Sequence, residues 1–168
     1  MPRKRDYRIV DATYLDTAPV RETIRQPIPA SASATFRSLE DADAWPVWLI
    51  PVEKVTWTSS APFGVGTTRD IDGRAGTISE YFFDWEDGRR MSFYFSSGQV
   101  PLFAAFAEEY DVVPTADDSC ELVWRYGFEC HGAYKLLQPL VAFGFRRTGR
   151  KSLGRLAEFM AEHKDEYE

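Results

Sequence analysis

Residues 120–163 read CELVWRYGFECHGAYKLLQPLVAFGFRRTGRKSLGRLAEFMAEH, and the period of their apolar positions changes midway. Up to Cys130 the pattern alternates. Leu122, Trp124, Tyr126 and Phe128 share one face, opposite Val123, Arg125, Gly127 and Glu129. A period of two is a strand, since successive side chains point to opposite faces. His131-Gly132 ends it. Beyond that, Leu137, Leu140, Val141, Gly144, Leu153, Leu156, Ala157 and Met160 recur at steps of three or four, which predicts one long amphipathic helix. Pro139 separates a lead-in turn from the main helix, which runs to His163. A last strand followed by a single long helix poses a packing question: which sheet does that helix cover?

The upstream sequence answers it. From Val52 onward the period is two, and strands are predicted over 52–57, 67–72, 76–85, 89–96 and 103–113. Asp72-Gly73, Glu86-Asp87-Gly88 and residues 114–119 supply turns between them. Before them, residues 20–26 (VRETIRQ) alternate as a half-exposed strand, which Pro27-Ile28-Pro29 breaks. Ser31 or Ser33 then caps a short helix carrying Phe36 and Leu39. Asp41 or Asp43 caps a second, carrying Trp45 and Trp48, with Pro46 in its first turn and Pro51 at its end. Neighbouring strands joined by short turns pair antiparallel, and segregated helices make the class α+β. The long helix is the available cover for one face of an antiparallel sheet of about seven strands.

Composition removes several functions. The chain has 168 residues, so one domain is expected, spanning 20–164 between a loosely held arm at 1–19 and a short tail at 165–168. With 20 Lys and Arg against 26 Asp and Glu, it is acidic and lacks the basic footprint of a nucleic-acid binder. No apolar run reaches the roughly 20 residues that span a bilayer, and no signal peptide is expected in the basic start. A cytoplasmic location follows as the simplest expectation. Cys120 and Cys130 lie on one predicted strand, about 33 Å apart if it is unbroken, too far for a disulfide. Two His and two Cys without ligand spacing predict no metal site, and nothing calls for a cofactor. What stands out is the ring count: 5 Trp, 8 Tyr and 12 Phe exceed the needs of a small core.

The order of local motifs resembles the SRPBCC superfamily (START-like, or Bet v 1-like), and within it the bacterial polyketide cyclase/dehydrase and lipid transport branch. The resemblance rests on Pro29-Ala30-Ser31-Ala32-Ser33 at a helix start, and on Asp41 before Trp45-Pro46-Val47-Trp48. Val52, Val55, Trp57, the Gly64-Val65-Gly66-Thr67 turn and the Gly88–Phe93 strand opening follow in order. It covers about residues 20–164. It implies a helix-grip fold: a curved antiparallel sheet wrapped on the C-terminal helix, a hydrophobic cavity between them, and the two short helices closing one end. Members bind lipids, carry sterols, cyclise polyketides or assist chaperones, so the fold alone does not choose a chemistry.

Within that frame the rings acquire places. Trp124, Tyr126 and Phe128 share a face of the last strand. Phe106 and Tyr110 share one in the strand before, and Phe93 and Phe95 in the strand before that. Tyr81, Phe83 and Trp85 align in the third strand of the meander, although Ile78 and Phe82 compete for the same face. With Trp45 and Trp48 from the short helix, and Leu140 and Gly144 from the long one, these form the expected ligand-binding wall. The plain alternative is a solid core. Glu108 falls between Phe106 and Tyr110 on that wall, and is the candidate polar anchor or general acid/base. A pairing with Arg69, or a register slip into water, would remove that role. The Gly64–Thr67 turn lacks the Lys of a phosphate loop and is expected at the cavity rim. Arg146, Arg147, Arg150, Lys151 and Arg155 make a basic cluster on the last helix, suited either to solvent or to transient contact with anionic headgroups.

The expected function is binding or carriage of a hydrophobic or amphipathic small molecule: a lipid, a polyketide or an aromatic metabolite. The alternatives are a polyketide aromatase/cyclase or dehydratase-like enzyme, and a chaperone-associated interaction module. The last would show an exposed apolar patch in place of an enclosed cavity.

Overall fold

The computed structural model describes residues 3–168. Its elements, in chain order, are β1 (Arg5–Asp6), α1 (Tyr14–Thr17), β2 (Val20–Ile28), α2 (Ala32–Glu40), α3 (Trp45–Trp48), β3 (Val52–Trp57), β4 (Thr68–Gly73), β5 (Gly76–Glu86), β6 (Arg90–Gly98), β7 (Phe103–Ala116), β8 (Ser119–Cys130) and α4 (Gln138–His163). A 3-10 segment, Gly132–Leu137, leads into α4. Seven strands run in the order β2-β8-β7-β6-β5-β4-β3, and β1 adds to β6. Every pairing is antiparallel. The first long strand lies beside the last, so the meander curls into a half-barrel around α4, the helix-grip architecture.

Local chemistry explains the punctuation. The Ser31 hydroxyl accepts from the Ala34 amide at 3.1 Å and caps α2. The helix of Trp45 and Trp48 has no side-chain cap. Asp41 instead accepts from the Asp43 amide, tightening the turn before it. At Gly149 α4 presses closely on the sheet: a Cβ there would sit 2.6 Å from Trp124 and 2.9 Å from Ile24. Only a residue without a side chain lets the helix seat that deeply.

The inner face of the sheet, α2, α3 and the buried side of α4 enclose the main core, which includes Phe36, Trp48, Phe106, Tyr126, Phe128, Leu153 and Leu156. Each such side chain contributes about 1.5–3 kcal/mol by leaving water. Both cysteines are buried and unpaired.

Two expectations are corrected here. Residues 1–19 are not a loose arm over their described part. Tyr7, Tyr14, Leu15 and Ala18 are buried, and the Tyr7 hydroxyl donates to the Val100 carbonyl at 2.8 Å. Tyr14, Leu15 and Ala18 cover the outer face of the sheet, whereas Tyr7 joins the main core beside Phe95. Tyr81 and Phe83 are the second correction. They lie on that outer face, packed with Tyr94, not on the cavity wall. Ile78, Glu80 and Phe82 alternate inward along β5, which puts Tyr81 on the opposite face. A bulge at Phe83, where Phe82 pairs with Phe93 and Asp84 with Ser92, shifts the parity so that Trp85 also turns inward.

Candidate functional site

A cavity of about 490 Å³ lies between α4 and the curled sheet. Its mouth is bordered by Pro51, Arg74, Ala75 and Gly144, all exposed. Its walls are apolar, with Ile71, Ile78, Val100, Phe103, Val141 and Phe145 among them. Its floor is Trp45, Phe93, Phe95, Trp124 and three charged side chains, Arg69, Glu80 and Glu108, all buried. A cleft of this size with apolar walls and a few convergent polar groups is the usual form of a small-molecule site.

Apart from Tyr81 and Phe83, the predicted site residues form two groups and one outlier. Trp45, Phe93, Phe95, Glu108, Trp124 and Gly144 line the cavity. Trp48, Phe106, Tyr110, Tyr126 and Phe128 stand behind them as core, so for these five the plain reading holds. Trp48 packs against Trp45 and Tyr110, bracing α3. Leu140 belongs to neither group. It points outward and is 68% exposed, because the buried stripe of α4 begins with Val141 and Phe145. The Gly64–Thr67 turn is not on the rim either, since none of its residues line the cavity.

The charged floor has a definite wiring. Arg69 Nε donates to Glu80 Oε2 at 2.5 Å. Its guanidinium lies 4.1 Å from the Trp45 ring centre and 4.8 Å from that of Phe93, with Trp57 and Phe82 slightly farther. Nη1 has no hydrogen-bond partner among the described residues, and these ring faces surround the cation instead. Glu108 takes a different set of partners. The Tyr110 hydroxyl donates to its Oε2 at 3.0 Å and Trp124 Nε1 donates to the same oxygen at 2.9 Å. Oε1 makes no hydrogen bond among the described residues, so it is the carboxyl oxygen left for a ligand.

One cation among two buried carboxylates balances one negative charge. Glu80 is in contact with Arg69 and is the carboxylate that the cation serves. Burial, then the neighbouring Glu80, push Glu108 up to about 8, against the opposing pull of Tyr110, Arg69 and Trp124. Near neutral pH Glu108 is therefore a carboxylic acid that receives two hydrogen bonds on one oxygen and can offer a proton from the other. Glu80 carried no expectation in the sequence, because the expected inner face of its strand was that of Tyr81, Phe83 and Trp85.

A family model for polyketide cyclase / dehydrase and lipid transport matches residues 19–161. The chain belongs to this family. An uncharacterized protein of Mycobacterium bovis is 34% identical over 143 residues, 82% of this chain and 85% of that protein. Among solved structures, the Zhui aromatase/cyclase from a Streptomyces species superposes with a TM-score of 0.72 at 12% identity, covering 85% of this chain and 94% of that one. A START superfamily protein from Mycobacterium smegmatis superposes with a TM-score of 0.61 at 13% identity, covering 82% and 99%. The structural likenesses establish the fold, and the family model places the chain among polyketide cyclases / dehydrases and lipid transport proteins. The helix-grip frame of this family member places its cavity under the C-terminal helix. No helix among the described residues is long and apolar enough to cross a membrane.

Proposed function

We propose that the protein binds a hydrophobic or amphipathic small molecule, a lipid, a polyketide or another aromatic metabolite, with a polar group of the ligand against Glu108. The observation that carries this is the cavity of about 490 Å³ whose apolar walls end on a buried, proton-bearing carboxyl with one free oxygen. A neutral acid donor suits a carbonyl or hydroxyl oxygen better than a carboxylate, and the apolar walls suit rings or acyl chain. Gly144 gives a clean test. It borders the mouth, and a Cβ there meets nothing within 4 Å. Native mass spectrometry of gently purified protein should show a retained small molecule, and Gly144→Leu should lose it while melting no lower than wild type. A wild-type protein that retains nothing and takes up no added fatty acid or aromatic polyketide would overturn the reading.

A second reading, an aromatase/cyclase or dehydratase-like enzyme, is favoured by the same carboxyl. An acid whose proton is held to about 8 can give or take a proton near neutral pH. Glu108→Gln separates the two. It keeps the oxygen that Tyr110 and Trp124 address and removes the transferable proton. A binder keeps most of its affinity, whereas an enzyme loses turnover.

A further inference from the structure

The basic stripe and the misplaced Leu140 belong to one surface. Leu136, Leu137, Leu140 and Phe143 are exposed by 87, 52, 68 and 64% respectively. Leu140, Phe143, Arg147 and Lys151 follow one another at steps of three or four, so they form one outward stripe of α4. The stripe is apolar at its N-terminal end and cationic beyond it. Arg147, Arg150 and Lys151 are exposed and have no ion-pair partner among the described residues. The charge is also segregated along the chain. Between Glu129 and Glu158 there is no acidic residue, in a protein with 26 of them. A shallow groove lined by Ile50, Arg147, Thr148 and Lys151 adjoins the stripe, and Ile50 and Thr148 line the main cavity as well.

We propose that this face of α4 and its lead-in turn docks on an anionic phospholipid bilayer, with Leu136, Leu140 and Phe143 entering the interface and Arg147 and Lys151 meeting phosphates. Large exposed apolar side chains beside unpaired cations are the pattern of a helix lying in the plane of a membrane surface. Charge decides the occupant. Pairing the stripe with a second copy would set its cations against each other or against the other copy's leucines. An anionic lipid surface answers both halves at once. Because the same segment of α4 borders the cavity mouth, docking turns that mouth toward the bilayer, where an apolar ligand could pass without crossing water. The docking itself does not rest on the cavity being filled.

The test is co-sedimentation of the full chain with phosphatidylcholine vesicles and with vesicles also rich in phosphatidylglycerol. The variants are Leu140→Ser/Phe143→Ser and Arg147→Glu/Lys151→Glu, all four positions being exposed and outside the core. Wild type should bind the anionic vesicles and release them as salt rises. Each double variant should weaken binding by at least about tenfold. A Phe143→Trp variant should shift its fluorescence to the blue on the same vesicles. The proposal falls if wild type ignores anionic vesicles, or if the variants bind as well as wild type. It also falls if light scattering shows a wild-type dimer that Leu140→Ser/Phe143→Ser dissolves, which would make the stripe a self-interface. Retention of a small molecule in native mass spectra is read separately, so losing the membrane proposal leaves the binding proposal standing.

Discussion

Glu108 is placed by alternation on β7, yet its state is set by neighbours from four strands: Tyr110 beside it, Trp124 on β8, Glu80 on β5 and Arg69 on β4. The sequence shows that a carboxyl falls on an aromatic wall. It does not show that a second carboxyl takes the cation, because Glu80 lies on the face of β5 opposite the one its rings suggest. The distinction has a measurable sign. The folded-state value of Glu108, about 8, lies above the ordinary 4.5, so the folded protein holds a proton that the unfolded chain releases. The stability associated with Glu108 is therefore fully present below about pH 4.5 and is lost as pH rises through about 8. Burial pushes Glu80 the same way, with Arg69 opposing, so the informative quantity is the difference between wild type and Glu108→Gln. Urea midpoints measured from pH 5 to 9 should show Glu108→Gln gaining on wild type as pH rises. Parallel curves would mean that Glu108 titrates like a solvent carboxyl.

At the scale of elements, α4 contains two glycines with opposite duties. Gly149 presses against Trp124 and Ile24, and Gly144 faces open space at the cavity mouth. Gly144→Ala should raise stability by about 1 kcal/mol through helix propensity alone. Gly149→Ala gains the same propensity, but its methyl must displace an indole and an isoleucine packed between two strands. It should therefore destabilise, and a rise in urea midpoint for both would show that the helix is not seated on β8 through Gly149. The helix and its period were readable because many turns repeat one pattern. The same holds for β3 and β8, whose ends fall within a residue of expectation. In β5 the reading failed for a physical reason. A bulge at Phe83 adds one residue with no mark in composition and brings Phe82 and Trp85 to the same face. Alternation counted from Trp85 therefore puts Tyr81 and Phe83 inside, whereas Ile78, Glu80 and Phe82 take the inner face. Trp45, Phe93, Phe95 and Trp124, on elements whose parity is undisturbed at those positions, lie where alternation puts them. Leu140 failed differently. Its spacing fits the apolar stripe, but the stripe drifts around the helix, and its first members emerge on the outside.

For the molecule as a whole, the rings serve two layers. The inner layer walls a cavity and its supporting core. The outer layer, Tyr81, Phe83 and Tyr94, would be an exposed aromatic patch on the convex side of the sheet if nothing covered it. The N-terminal segment is that cover, through Tyr14, Leu15 and Ala18, and a glycine admits it: a Cβ at Gly127 would lie 2.8 Å from the Ala18 side chain. Tyr7 instead joins the main core beside Phe95, where a Cβ at Gly98 would lie 2.7 Å from its hydroxyl. Short, polar and without a strong period, this segment carries no local signal of its own; its place is decided by a sheet formed from residues far along the chain. A chain beginning at Pro19 keeps every cavity-lining residue and loses Tyr7, Tyr14, Leu15 and Ala18. Burial of such side chains contributes about 1.5–3 kcal/mol each before ordering costs, so the truncated protein should lose on the order of 2–4 kcal/mol in urea titrations. It should also self-associate more than the full chain in light scattering, through the uncovered Tyr81, Phe83 and Tyr94. Gly127→Val in the full chain should reproduce both effects in weaker form, because it pushes Ala18 away without deleting anything. If truncation leaves the midpoint and the molecular mass unchanged, the segment is ornamental and the outer aromatic layer is stable against water by itself.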